Sequence, residues 1–171
     1  VLKARGFMHD LRYYFRHGLI NKNRYSDLIS LVPPKSFRAA LLMIVNFLRL
    51  STYELSCEQG ADYFNLFLAP FIKGLSREEV KEELWQFLTS INLSVFTGVT
   101  LGLEFVIPSF LSENNVYDPK GDVIGVYSDY VSESRLIAEL ILECLKERKE
   151  TKPIFNPSVI MKIRPEILNN K

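Results

Sequence analysis

Cysteine and histidine are scarce in this sequence: its 171 residues include two of each. Cys57 and Cys144 lie too far apart to form the C-x-x-C spacing of metal and redox sites, so we predict no metal site. We expect Cys144 to pack within the apolar stripe of its helix, and Cys57 to be a buried, inert thiol. A chain with so few cysteines is typical of a reducing compartment, which predicts a cytoplasmic protein.

Long hydrophobic runs and net charge are also lacking. No uninterrupted apolar run reaches the roughly 18 to 20 residues of a membrane helix, and the first residues contain no apolar segment of a signal peptide. The formal net charge is +1, which gives no electrostatic basis for binding nucleic acid or an anionic membrane. Phosphate-binding and nucleophile motifs of the P-loop, G-x-G-x-x-G and G-x-S-x-G types are absent as well.

The composition that remains is that of a globular protein with one core. Hydrophobic residues make up 47% of the chain and charged residues 24%, and the length suits a single domain. The chain opens on Val1 and ends on Lys171. We interpret 1–171 as one domain or a fragment of a longer protein.

The run 32–70 is the most informative part of the chain. Two prolines precede a long apolar stripe that begins near Phe37, and Ser36 is placed to cap that helix. A break near Ser51 leads to a second predicted helix, from Tyr53 to Lys73.

The remaining segments alternate between helix and strand signals. Gly74 suits a helix end, and Ser76 with Glu79 fits a capping box, so we predict a helix to about Ser90. Further predicted elements, in chain order, are a strand over 97–107, a turn over 118–121, a helix over 130–149 and a strand over 159–163.

The segment 9–20 mixes basic and aromatic residues at helical spacing, and Gly18 is placed to end the predicted helix. This pattern fits a half-buried amphipathic helix better than a surface that stacks on bases. His9 and Asp10 are candidates for acid–base chemistry. Neighbouring residues on a helix point about 100° apart, however, so a capping role for Asp10 is the simpler interpretation. His17 has no second ligand nearby and is not expected to bind a metal.

Several segments resemble, in the same order, the anaerobic (class III) ribonucleoside-triphosphate reductases, a family of glycyl radical enzymes. The resemblance rests on the order of several motifs over most of the chain. The segments that carry it are Met8 to Leu11, Pro33 to Leu41, Ile44 to Leu48, Leu68 to Ile72, Leu75 to Lys81, Leu88 to Asn92, Leu101 to Pro108 and Lys152 to Pro157.

The resemblance implies an α/β fold, predominantly helical in this segment, that forms part of a ten-stranded barrel. It divides the chain into a helical region, 35–91, and a strand–helix–strand portion of the barrel, 97–171. In the family the first region lies near the dimer interface, where a specificity effector nucleotide binds. The resemblance therefore implies a homodimer through the helices of 35–91.

The resemblance also implies candidate site residues. Lys35 and Arg38, at a helix start, are candidates to meet effector phosphates, with Asn46 further along the same helix. His9 and Asp10 resemble the family's His-Asp-Leu segment and are candidate relics of an active site. The family uses a glycyl radical, zinc and ATP or deoxynucleotide effectors. This chain shows neither a radical-glycine motif nor a four-cysteine zinc site, and we expect no cofactor in it.

Three functional hypotheses follow. In the first, the chain is part of, or a short relative of, an anaerobic reductase that makes deoxyribonucleotides by radical chemistry. It would contribute no catalytic residue of its own, because Cys57 does not match the thiyl cysteine. In the second, it is a non-catalytic helical module that binds a nucleotide or dimerises. In the third, it is a helical interaction protein unrelated to that family.

Overall fold

The computed structural model describes residues 6–20, 30–53, 58–151 and 154–165. Within these ranges strands alternate with helices along most of the chain. In chain order the elements are β1 (Gly6–His9), α1 (Leu11–His17), β2 (Leu19–Ile20), β3 (Ser30–Leu31), α2 (Phe37–Ser51), β4 (Glu58–Ala61), α3 (Phe64–Leu68), a 3₁₀ helix (Ala69–Ile72), α4 (Arg77–Ser94), β5 (Val99–Glu104), α5 (Ser109–Ser112), β6 (Asn115–Tyr117), β7 (Val123–Val126), a second 3₁₀ helix (Tyr127–Tyr130), α6 (Val131–Thr151) and β8 (Ser158–Lys162).

Four strands form one parallel sheet in the order β1-β4-β5-β8. The register pairs His9 with Ala61, Ala61 with Leu101, and Glu104 with Lys162. A long helix connects each neighbouring pair of strands, as parallel pairing requires. The fold is therefore α/β, with two small antiparallel pairs, β2–β3 and β6–β7, beside the main sheet.

The core lies between this sheet and the long helices. In β5, Leu101 and Leu103 are fully buried members of the hydrophobic cluster that the helices share. Thr100 and Gly102 lie on the other face of the sheet, because side-chain positions alternate along a strand. On that second face Met8 and Ile160 are about half exposed.

The structure confirms most of the long elements expected from the sequence. Helix α2 begins after Ser36, whose hydroxyl accepts a hydrogen bond from the Ala39 amide. Helix α4 begins with the complete capping box of Ser76 and Glu79. Strands β5 and β8 and helix α6 lie where the pattern predicted them.

The helix predicted from Tyr53 to Lys73 is wrong. Residues 58–61 form β4, an inner strand of the parallel sheet, and α3 occupies only Phe64–Leu68. Tyr63 separates the two with a left-handed backbone conformation, φ 52°, which a continuous helix does not contain. Hydrogen bonding to two neighbouring strands outweighs the weak local preference of Glu-Gln-Gly-Ala for helix.

The structure also adds strand β1 immediately before α1, where the sequence indicated only a helix. Within the predicted 9–20 helix, residues Leu11–His17 are helical as α1. Gly18 ends this helix with φ 72°. None of the helices in the described ranges is long and apolar enough to cross a bilayer.

Candidate functional site at the carboxyl edge of the sheet

Four charged side chains meet where the strands of the parallel sheet end. Asp62 follows β4, Glu104 ends β5, Lys162 ends β8, and Arg164 comes two residues later. The carboxyl ends of parallel strands share one edge, which is where open α/β sheets bind their ligands. We call these four residues the carboxyl-edge cluster.

Ion pairs connect all four members of the cluster. Arg164 binds Glu104 through two hydrogen bonds, Nε to Oε2 at 2.9 Å and a terminal nitrogen to Oε1 at 2.8 Å. Lys162 Nζ donates to Asp62 Oδ2 and lies 3.6 Å from Glu104 Oε1. The Glu104 side chain is only 1% exposed, so its charge depends on these two cations.

The same contacts hold both cations in their charged forms. Burial opposes the charge on Lys162, but the Asp62 hydrogen bond and nearby Glu104 outweigh it and raise the pKa of Lys162. The hydrogen bonds that Arg164 donates to the Glu104 carboxylate raise the pKa of Arg164. Lys162 also lies 4.1 Å above the centre of the Tyr63 ring, a favourable cation–π geometry. With both carboxylates paired, the cluster is suited to orienting polar groups rather than to exchanging protons.

A glycine in β5 makes room for the cluster. A Cβ atom at Gly102 would lie 2.4 Å from Asp62 Oδ1 and 3.3 Å from the Asp62 Cα. Any other residue at this position would therefore displace Asp62, on which Lys162 depends.

The Asn65 side chain holds the end of β5 through hydrogen bonds to its backbone. Its Oδ1 accepts from the Glu104 amide at 2.9 Å, and its Nδ2 donates to the Glu104 carbonyl at 2.6 Å. Nδ2 also donates to the carbonyl and hydroxyl of Ser134 at the start of α6. The buried amide thus ties α3, β5 and α6 together behind the charged side chains.

His9 and Asp10 have different partners in the structure. His9 ends β1 and is 5% exposed, whereas Asp10 is the cap of α1 and pairs with Arg12 at 2.8 Å. The capping interpretation of Asp10 is confirmed. The expectation that both residues lie on one helix is wrong, because the sheet extends to His9.

His9 takes part in a buried hydrogen-bond chain on the helix-facing side of the sheet. The Gln59 amide nitrogen donates to the Leu48 carbonyl and the Thr97 hydroxyl, so Gln59 Oε1 must accept from His9 Nε2–H at 3.0 Å. The Tyr14 hydroxyl lies 3.4 Å from His9 Nδ1 and donates to it. Burial lowers the pKa of His9, so the ring is neutral near pH 7 and acts as a structural link.

The three candidates for an effector site lie on or just before α2, and none of them belongs to the carboxyl-edge cluster. Lys35 and Arg38 are exposed around the first turn, and Arg38 lies 3.9 Å from Glu83 of α4. Asn46 is half-buried two turns further along, about 12 Å from Arg38 at the helical rise. Lys35 and Arg38 are therefore both exposed near the start of α2, whereas Asn46 lies further along the helix.

The cysteine predictions have different outcomes. Cys144 is fully buried, as predicted, and burial raises the pKa of its thiol to about 11. Cys57 lies outside the described residues.

Within the described ranges no group of three His, Cys, Asp or Glu side chains is arranged to hold a metal ion, so these residues do not fit the zinc site of the family.

Sequence reasoning did not single out the carboxyl-edge cluster. Its members lie at or just after the ends of three separate strands. They come close together only because those strands are neighbours in the sheet. One signal was available: Glu104 and Lys162 are the charged ends of two otherwise uncharged strands. If both strands are taken as parallel neighbours, their carboxyl ends share one edge of the sheet, which would place the two side chains together.

The fold matches solved anaerobic ribonucleotide reductases. The Thermotoga maritima enzyme with citrate in the active site superimposes with a TM-score of 0.76 at 15% identity, over 94% of this chain and 30% of that one. The same enzyme with dATP in its specificity site gives a TM-score of 0.76 at 14% identity, over 95% and 29% of the two chains. A third structure, of an anaerobic ribonucleotide reductase, gives 0.75 at 15% identity, over 94% and 26%. Likeness at such identities concerns the fold alone, and this chain spans about 30% or less of the length of those enzymes.

A family model supplies the evidence that the distant structural matches do not. No curated protein matches the chain. The model described as anaerobic ribonucleoside-triphosphate reductase matches residues 3–171, nearly the whole sequence. The resemblance found in the order of the motifs is thereby confirmed, and the chain belongs to the anaerobic ribonucleoside-triphosphate reductase family.

Proposed function

We propose that this chain is part of an anaerobic ribonucleoside-triphosphate reductase, in which it supplies four parallel strands of a ten-stranded barrel. The observation that carries the proposal is the parallel sheet with its fixed carboxyl-edge cluster, in a chain that the family model matches over residues 3–171. The protein would act in the cytoplasm on ribonucleoside triphosphates.

In this proposal the described residues position a substrate rather than react with it. Neither a thiyl cysteine nor a radical glycine is assigned to any described residue. The carboxyl-edge cluster would hold the strand ends in register and present the partly exposed Lys162 and Arg164 to polar groups of a substrate. The chain alone is therefore expected to be inactive.

An anaerobic assay tests this division of roles. The 171-residue chain, supplied with CTP, a reductant and an activating enzyme, is expected to form no dCTP. In a longer protein that contains this sequence and reduces CTP, Lys162→Met should raise KM or lower kcat, whereas Lys120→Met, at an exposed turn, should change neither. Turnover by the chain alone, or equal effects of the two variants, would contradict the proposal.

We also propose that the start of α2 binds the phosphates of a deoxynucleotide effector. Lys35 and Arg38 are exposed cations around a helix N-terminus, where backbone N–H groups also favour anions. Arg38 has a contact with Glu83 at 3.9 Å, a distance that an exposed pair gives up at little cost. Asn46, about 12 Å along the helix, would meet the other end of the nucleotide.

Calorimetric titration with dATP, dGTP and dTTP tests the effector site. Saturable binding of at least one of them, weakened about tenfold or more in the Lys35→Gln/Arg38→Gln variant, is expected because charge-assisted contacts to phosphate are lost. An Arg49→Gln variant, at the far end of α2, should bind as tightly as the wild-type chain. Absence of heat with all three nucleotides counts against the site.

We propose further that α2 contributes to a homodimer interface. Leu42 is 58% exposed in the middle of the helix, and Val32 is 73% exposed just before it. Both line an apolar cavity of about 310 Å³ with Pro33, Pro34 and Met43. Contiguous exposed apolar groups of this kind mark interaction surfaces.

Sedimentation equilibrium tests the dimer. The wild-type chain should sediment as a dimer, and Leu42→Glu should shift it to monomer because a charge would have to be buried in the interface. The Leu93→Glu variant alters a leucine on α4 that is more exposed than Leu42, and it should leave the association unchanged. A monomeric wild-type chain at high micromolar concentration would contradict this proposal.

A further inference from the structure

A cavity of about 570 Å³ lies beside α1, between that helix, the first 3₁₀ helix and the segment 113–117. None of the carboxyl-edge cluster lines it, and neither do Lys35, Arg38 or Asn46. Its volume is within the range of small-molecule sites in proteins. The cavity therefore shares no lining residue with either site, although Phe67 on its wall packs against Tyr63, whose ring lies beneath Lys162.

Aromatic rings form one wall of this cavity. Phe15 of α1 packs edge-on against Phe71 with ring centres 5.1 Å apart, and Phe67 packs against Tyr127 at 5.5 Å. All four residues line the cavity. A surface of this kind suits a planar ring, which gains stacking contacts beyond the apolar area that it buries.

The Tyr127 hydroxyl is a polar group that opens onto the cavity. Tyr127 is only 5% exposed as a residue, and its hydroxyl forms no hydrogen bond with any residue that the structure describes. Every fully buried side-chain nitrogen or oxygen of the described residues has a hydrogen-bond partner, so this hydroxyl is accessible from the cavity. Burial of the ring raises the pKa of the phenol, so the hydroxyl is protonated near pH 7 and can donate a hydrogen bond to a ligand.

Cations border the aromatic wall. Arg12 is committed to Asp10 through two hydrogen bonds, of 3.0 and 2.8 Å, which neutralise that carboxylate. Arg16 lies 4.4 Å above the Tyr117 ring, and no carboxylate in the described part of the chain pairs with it. Its guanidinium therefore has N–H donors available for an anion.

The opposite rim carries polar side chains. Asn114 and Asn115 line the cavity, and within the described ranges their side-chain amides form no hydrogen bond. Glu113 is exposed at the same rim. Each free amide can both donate to and accept from the edge of a heterocyclic ring.

From these contacts we propose that the α1 cavity binds a small anion that carries a planar aromatic ring. The ring would lie against Phe15 and Phe71, the partly exposed members of the wall, because Arg12 already covers the buried Phe67 ring. Its polar edge would face the Tyr127 hydroxyl and Asn114, and the anionic group would meet Arg16. Nucleoside monophosphates and aromatic carboxylates share this chemistry.

Titrations followed by ligand-detected NMR and calorimetry test the proposal on the 171-residue chain. Adenosine monophosphate and benzoate are the probes, with adenosine and inorganic phosphate supplying the ring and the charge separately. At least one of the two ring-bearing anions should bind saturably, and more tightly than adenosine or phosphate. The tighter of the two probes identifies the source of the anion. If neither binds at millimolar concentration, the proposal is overturned.

Variants locate the binding. Arg16→Gln should weaken it about tenfold or more, because a charge-assisted hydrogen bond is lost. Tyr127→Phe keeps the ring in place and should weaken it severalfold, about the value of one hydrogen bond. Arg49→Gln and Lys35→Gln/Arg38→Gln, on α2, should not change the affinity. Binding that survives Arg16→Gln and Tyr127→Phe, or that is lost only in the α2 variants, would overturn the proposal whatever becomes of the effector site.

Discussion

At the scale of single residues, the carboxyl-edge cluster depends on groups that have no charge of their own. Gly102 leaves space for Asp62, and Asn65 fixes the backbone of Glu104. A sequence pattern does not reveal such roles, because each depends on a neighbour that is distant in the chain. The capping residues Asp10, Ser36 and Ser76 were predictable, since their partners lie within three residues.

Replacing Gly102 with alanine should destabilise the protein by about 1–3 kcal/mol, because the new methyl group would overlap Asp62. Urea unfolding followed by circular dichroism measures the loss. Gly98→Ala is the matched control, since a Cβ there would meet only the flexible Glu58 side chain at 3.3 Å. Equal stability of the two variants would show that Asp62 is not held as described.

His9 should make stability depend on pH. Burial lowers its pKa in the folded state below the unfolded value of about 6.5, so the unfolded chain binds more protons in that window. Stability is fully present above about pH 6.5 and falls as the pH decreases, by at most about 1.4 kcal/mol per pH unit for this one group.

Urea unfolding between pH 7.5 and 5.5 measures this slope. The His9→Gln variant should show a shallower slope than the wild-type chain. Parallel curves for the two proteins would mean that His9 is protonated as easily in the folded as in the unfolded state.

At the scale of elements, sequence patterns succeeded where an element carries its own signals. Helix α4 has a capping box, α6 has a long apolar stripe, and β5 lies within a nearly alternating run of β-branched and aromatic residues, although its burial does not alternate and five of its six residues are buried. Strand β4 has no such signal, because its four residues, Glu-Gln-Gly-Ala, include neither a β-branched nor an aromatic side chain. It is a strand because β1 and β5 pair with it on both sides, which no local window contains.

Asn65 should contribute strongly to the stability of the fold, because its side chain connects three elements. Asn65→Ala removes the hydrogen bonds between α3, β5 and α6 and leaves the buried amide and carbonyl of Glu104 without these partners. We expect a loss of about 2–4 kcal/mol in the free energy of unfolding, since each buried group left unpaired costs about 1–3 kcal/mol. Asn115→Ala, at an exposed position on β6, should cost less than about 0.5 kcal/mol. A similar loss in the free energy of unfolding for both variants would contradict this role of Asn65.

At the scale of the whole molecule, the order of motifs indicated the family more reliably than it indicated the site. The family model spans residues 3–171, and the fold superimposes on reductases over most of this chain. The carboxyl-edge cluster emerges only from the strand order β1-β4-β5-β8, which places side chains from distant segments at one edge. The effector and dimer surfaces inferred from the resemblance involve α2, on the helical layer of the fold.

We propose that this sequence is one part of a larger anaerobic reductase, since it spans about 30% of the length of the solved enzymes. The most direct test is the nucleotide sequence of the locus downstream of the codon for Lys171. We expect the reading frame to continue and to encode a cysteine for the thiyl radical and a glycine for the glycyl radical. A stop codon immediately after Lys171 would contradict it and favour the alternative, a non-catalytic module that binds a nucleotide or dimerises.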